Sequence, residues 1–216
     1  MASVDRTAYP RFKRTTSARE LREAFTPAAD ETAWAEEKTT TEQHRLALLV
    51  LLKSYQRLGY FPNLAEVPDV VVAHVRGQLG LDQSVAAEHD AASTAKRHRG
   101  WVRARLGVTH EPAEVRAIAE VALRAAAQVK DNPADMINAA LDELVKARCE
   151  LPGYTTLDTM AATVRTEVNT ALFTTVACRL DAAERTRMLG LLTVDPATRR
   201  SDFDRVKDTP PAATVK

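Results

Sequence analysis

The chain has 216 residues, enough for one sizeable core or two small helical domains. Its 45% hydrophobic content with only 5% aromatics, and its few glycines, favour aliphatic helices; no 18-residue apolar run marks a membrane span and no apolar stretch near the start marks a secretory signal. The net charge of +1 removes the easy argument for nucleic acid, because 16 Lys/Arg meet 13 Asp/Glu in residues 1–110 and 14 meet 16 in residues 111–216, so any DNA site must be a local patch.

In chain order, the first 16 residues read as an arm carrying Arg11, Lys13 and Arg14, with Tyr9 and Phe12 placed to pin it to a body. Ser17 is a candidate N-cap for SARELREAF, with Glu20 three residues on completing a capping box. A second helix is expected over 28–37. Thr41 caps the third, TEQHRLALLVLLKSYQRLG, whose centre at 46–52 is apolar on nearly every face and is expected to be the buried axis. Gly59 stops it. Pro68 opens VPDVVVAHVRGQLG, which the helical surroundings favour as a helix despite its valines. A short helix is expected at 82–90, then STAKRHRGWVRARLG, ended by Gly107. The connector VTHEP, with its clean stop, turn and change of charge sign, suggests a domain boundary at 110/111. Further helices are expected at 112–130, 133–149, 156–179 and 182–192, with Asn132 and Asp181 as caps, Pro112 and Pro133 at first positions, and residues 208–216 as a linker or tail.

The segment 94–107 carries the most chemistry. At 100° per residue, Ala95, Val102 and Leu106 form one stripe with His98 beside it, while Lys96, Arg99 and Arg103 form a nearly opposed basic arc and Arg97 and Trp101 a third flank. Residues 91–110 contain five basic residues and no acid. Arginine offers planar paired donors to guanine and lysine neutralises phosphate, so a helix of this kind after a short helix and turn suits recognition of a duplex. An ordinary solvated charged face fits the same residues. The arm residues Arg11, Lys13 and Arg14 suit a groove, and Lys53 and Arg57 either reach phosphate or simply favour a helix C-terminus. Arg105 completes the candidate set. His44, His74, His89, His98 and His110 lack metal-ligand spacing, and no phosphate loop or dinucleotide fingerprint is present, so no metal, no cofactor and no catalytic residue is expected. Cys149 and Cys178 are too far apart in sequence for a CxxC site, and are expected as unpaired thiols in a reducing compartment.

These segments also carry a family resemblance. Arg19-Glu20-Leu21 and Phe25, HRLALLVLLKSYQRLGYFPNLAEVPDVVVAHVRGQLGL at 44–81, TAKRHRGWVRARLGV at 94–108, NPADMINAALDELVKARCELPGYTTLDTMAATVRTEVN at 132–169 and SDFDRVKDTP at 201–210 resemble, in this order, the N-terminal region of Tn-three family replicative transposases. The resemblance implies an all-α fold with two helix-turn-helix-like DNA-binding subdomains, one over 1–110 and one over 111–207. It implies recognition of double-stranded transposon ends, the terminal inverted repeats, with the strand-transfer chemistry in a downstream ribonuclease-H-like domain. The family's basic-histidine cluster corresponds to Lys96, Arg97 and His98, followed by Arg103. A second DNA-binding half would use Arg116, Arg124, Lys146, Arg148 and Arg165. The expectation is therefore a non-enzymatic, cytoplasmic DNA-binding part of a transposase, self-associating through the full-length protein, with neither membrane nor small-molecule partner. A helical protein-interaction or dimerisation module is the other reading of the long amphipathic helices.

Overall fold

The computed structural model describes residues 3–207; the tail expected at 208–216 lies outside them. Ten α-helices follow in order: α1 (Ala18–Phe25), α2 (Ala29–Lys38), α3 (Glu42–Leu58), α4 (Asp69–Gln78), α5 (Ala92–Leu106), α6 (Pro112–Ala127), α7 (Pro133–Lys146), α8 (Tyr154–Arg179), α9 (Ala182–Gly190) and α10 (Asp202–Val206). The fold is all-α, and the described residues contain no strand or sheet. They also contain no helix long and apolar enough to cross a membrane. The chain divides into two compact units, residues 1–165 and 166–216.

Local chemistry sets the helix ends. Ser17, Thr41 and Asn132 cap α1, α3 and α7 by accepting from Glu20 N, His44 N and Ala134 N. The capping box expected at Ser17 is only half made, because the Glu20 carboxylate turns to Lys13 and Arg57 instead. Gly59 ends α3 at φ +74°, a conformation that favours glycine, and a Cβ there would meet Leu151 Cδ1 at 3.0 Å.

In the first unit, α3 is the axis. Its residues 46–55 are all buried, and α1, α2, α4 and α5 pack around it. The core joins Phe25, Leu46, Leu48, Leu49, Leu52, Val71, Val75 and Val102. Each fully buried leucine contributes on the order of 2 kcal/mol. The helix α6 pairs with α7, and their buried faces, with the first half of α8, supply Leu123, Met136, Ile137, Leu144, Leu157 and Ala161. The turn at the suggested 110/111 boundary lies inside this unit and is bonded across it. Thr109 N donates to Arg148 O at 3.0 Å, Glu150 N to Thr109 O at 2.8 Å, and Leu151 N to Gly59 O at 2.8 Å.

One expected element is absent. Residues 79–91 form a strap without helix. Gly80 takes φ +63°, and the Asp82 carboxylate accepts from Ser84 N at 2.9 Å and Ser84 Oγ at 2.7 Å. This side-chain turn captures bonds that a helix would need. Arg76 Nε then holds the strap through Val85 O at 2.9 Å. A long irregular connection therefore precedes α5, in place of the short helix and turn expected there.

The second unit, as described, holds the C-terminal part of α8 with α9 and α10. Asp181 and Glu184 form a complete capping box at the start of α9. Ser201 is its only buried residue among those described, and Cys178 is exposed and unpaired, unlike the buried Cys149.

Candidate nucleic-acid interface

The helix α5 carries most of the candidate contacts. Ala91 supplies no side-chain cap, the first turn holds no acid, and Gly107 at φ +61° ends it. It buries Thr94, His98 and Val102, an i, i+4, i+8 stripe centred on His98, while Ala95 and Leu106 are only half-buried. The inward stripe is thus rotated slightly from the apolar one expected.

That rotation sorts the basic residues into two groups. Lys96 and Arg97 are exposed and, among the described residues, carry no ion pair. The Arg97 guanidinium lies 5.3 Å from the Trp101 ring centroid, and Trp101 stacks on His98 with centroids 5.3 Å apart, so aromatic surface braces the arginine. Arg99 is half-buried, with its Nε buried and unbonded.

Arg103 and Arg105 are structural in this conformation. Arg103 Nε donates to Glu150 Oε2 at 2.7 Å with the guanidinium 5.1 Å over Phe61. Arg105 donates to Asp30 Oδ2 at 2.6 Å and lies 4.9 Å over Trp34. They fasten α5 to its neighbours. Lys53 is buried, 3.2 Å from the Glu31 carboxylate, and offers no surface contact. Glu31 also accepts from Ala28 N and Gln56. Burial alone would push its carboxyl up, but these bonds and the Lys53 charge hold it below the usual range.

The arm follows the same division. Tyr9 is pinned through its hydroxyl, which donates to Pro152 O at 3.0 Å, and Phe12 packs against Phe25. Arg11 pairs with Asp5, and Lys13 and Arg57 share Glu20. Arg14 is exposed with no ion pair among the described residues. In the later part of the chain, Arg124 pairs with Glu120, Lys146 with Glu143, and Arg165 with Asp131, while Arg116 and Arg148 are exposed and carry no ion pair among the described residues.

Sequence spacing gives no hint of a cluster of three histidines that the fold brings together. His98 Nδ1 lies 3.1 Å from His89 Nε2, and the His44 ring meets His98 edge-on at 5.8 Å. His44 Nε2 lies 2.8 Å from Asp90 Oδ2, close but off the line of a hydrogen bond. Burial, then the neighbouring His89, His44 and Arg97, push His98 down to about 4; burial, then His44 and Arg99, lower His89 despite Asp90. The strap's folding back on α5 makes this cluster, and no local pattern encodes that fold. Among the described residues, no group of three or more His, Cys, Asp or Glu is placed to hold a metal ion.

No curated protein matches the chain. Residues 1–164 match a family model described as a domain of unknown function, DUF4158, and this span covers most of the chain. The chain therefore belongs to the DUF4158 family.

Proposed function

We propose that this chain is the end-recognition part of a transposase, binding double-stranded DNA at terminal inverted repeats through the exposed face of α5. The observation that carries the reading is the pair Lys96 and Arg97, exposed and unpaired in a stretch with no acid between Asp90 and Glu111. The uncapped start of α5 adds backbone N–H groups and the positive end of the helix dipole, which favour phosphate. The DUF4158 family, typically found in transposase-like proteins, and the Tn-three resemblance support the same reading. In it, Lys96 and Arg14 neutralise phosphate, Arg97 is the candidate for base edges, and strand cleavage and joining belong to another part of the transposase. The test is fluorescence anisotropy of the chain with the inverted-repeat end and with a shuffled duplex across a salt series. Tight, salt-dependent binding that prefers the repeat supports the reading, and equal weak binding to both duplexes overturns it.

A second reading, a protein-interaction module, is favoured by one feature of the second unit. Leu172, Phe173, Val176, Met188, Leu189, Leu191, Leu192 and Phe203 are all exposed. Exposed apolar side chains in this number suit a contact surface where they adjoin one another. Concentration-dependent self-association unaffected by duplex, seen by analytical ultracentrifugation, would favour it over DNA recognition.

A further inference from the structure

The strap at 79–91 packs Leu79, Leu81, Val85 and Ala87 against the core and is held by polar contacts at three places. Arg76 Nε reaches Val85 O from α4, His89 meets His98 on α5, and His44 and Gln43 at the start of α3 approach Asp90. One of the three, His89 to His98, is a hydrogen bond between two imidazoles, whereas His44 and Asp90 form an ion pair only if the ring is charged. His98 is 1% exposed, an unusual place for a group that titrates near neutrality. An aliphatic side chain there would pack the same stripe of α5 without a desolvated polar ring.

From α5, Arg97 and Arg99 face the cluster; from α3, His44; from the strap, His89 and the exposed Asp90, with Glu88 beside His89 and Asp69 of α4 lining the same cavity. Two neutral imidazoles 3.1 Å apart share one proton, one ring donating and the other accepting. One added proton leaves that bond intact. When both rings are cationic, two donors face each other and the bond is lost, with Arg97 and Arg99 adding repulsion.

We infer that His89 and His98 form a proton-operated latch: uncharged, one ring donates to the other and holds the strap on α5, and on acidification the two rings repel one another and release it. The α6–α7 pair contains no member of the cluster and α3 contributes only His44 in its first turn, so release is local to the strap and the rings it covers. Any consequence for duplex affinity rests on the end-recognition reading, through the nearby Lys96 and Arg97; the latch itself does not.

The test is amide hydrogen exchange of the full chain at about pH 7.5 and about pH 5, corrected for the intrinsic pH dependence of exchange, with far-UV circular dichroism alongside. The expected result is a loss of protection of roughly tenfold or more over 79–91 at the lower pH, with α3, α6 and α7 unchanged. In His89→Gln and His98→Gln, which cannot take the proton, the pH-dependent difference should fall to within about twofold. Should His98→Gln lose helical dichroism at neutral pH, His89→Gln, at a half-buried strap position, decides alone. Equal strap protection at both pH values, an acid-induced loss spread evenly over α3, α6 and α7, or the same acid response in His89→Gln would each overturn the latch.

Discussion

At the scale of single residues, the basic side chains of α5 differ in what they hold. Lys96 is exposed and without an ion pair among the described residues, whereas Arg103 and Glu150 bury most of their surface in a charged hydrogen bond at 2.7 Å. Lys96→Ala should therefore weaken binding to repeat and shuffled duplexes alike and reduce the slope of log affinity against log salt by about 0.9, read by anisotropy. Arg103→Ala should instead lower stability by roughly 1–3 kcal/mol in a urea melt, because Glu150 loses its partner and Phe61 its covering cation. A larger effect of Arg103→Ala on affinity than on stability would return it to the interface. Buried charge makes the sharpest case. Glu31→Ala leaves Lys53 desolvated and alone, with a cost of roughly 3–5 kcal/mol by the same melt. These distinctions were not readable beforehand. A charge pattern shows which residues are basic, but Lys53 lies among residues at the end of an apolar run, and the Asp30 partner of Arg105 is 75 positions away. Which arginines are free is decided by tertiary pairing.

At the scale of elements, the helices were legible where caps and period agreed. Thr41, Asn132 and Asp181 cap as their sequence positions imply, and residues 46–52, apolar on nearly every face, do form the buried centre of α3. The strap was misread because DQS at 82–84 has a carboxylate two residues before a serine, and that local turn outcompetes the helix; the histidine cluster was then invisible, since it exists only once the strap folds back. The cluster sets a pH dependence of global stability with a definite sign. His98 is held down to about 4 in the folded chain by burial and by neighbouring cations. An unfolded histidine titrates near about 6.5. Between those values the unfolded chain takes a proton that the folded chain refuses, so the contribution of His98 is fully present above about 6.5 and is lost as pH falls towards 4. At about pH 5 the loss is on the order of 2 kcal/mol relative to neutral pH. Urea melts at the two pH values should show it, and His98→Gln should flatten the difference. Glu31, held low, keeps its contribution above the ordinary carboxylate range and loses it as pH falls through that range and below, so it does not mask the histidine difference between neutral pH and about pH 5.

At the scale of the whole molecule, the distribution of buried residues predicts which part of the chain folds by itself. Every buried apolar side chain among the described residues lies between Phe25 and Val164. The family match spans 1–164 and the first compact unit 1–165, so packing and family membership mark the same body. A suggested boundary at 110/111 instead divides residues that hydrogen-bond across the turn, through Thr109 to Arg148 and Glu150 and through Gly59 to Leu151. A chain ending after Arg165 should unfold in one cooperative transition, with a melting temperature within a few degrees of the full chain, because it retains the whole apolar core. It should bind the repeat duplex as the full chain does, since Arg14, Lys96 and Arg97 all lie within it. It should also show less self-association by analytical ultracentrifugation, because Leu172, Phe173, Met188 and Leu189, exposed in the second unit, are gone. A truncated chain that melts far below the full one would mean that residues beyond 165 cover part of the core, against the burial pattern. A truncated chain that stays folded and loses duplex binding would move the interface out of α5 and into the second unit, where Arg179, Arg185, Arg187, Arg199 and Arg200 would be the residues to substitute next.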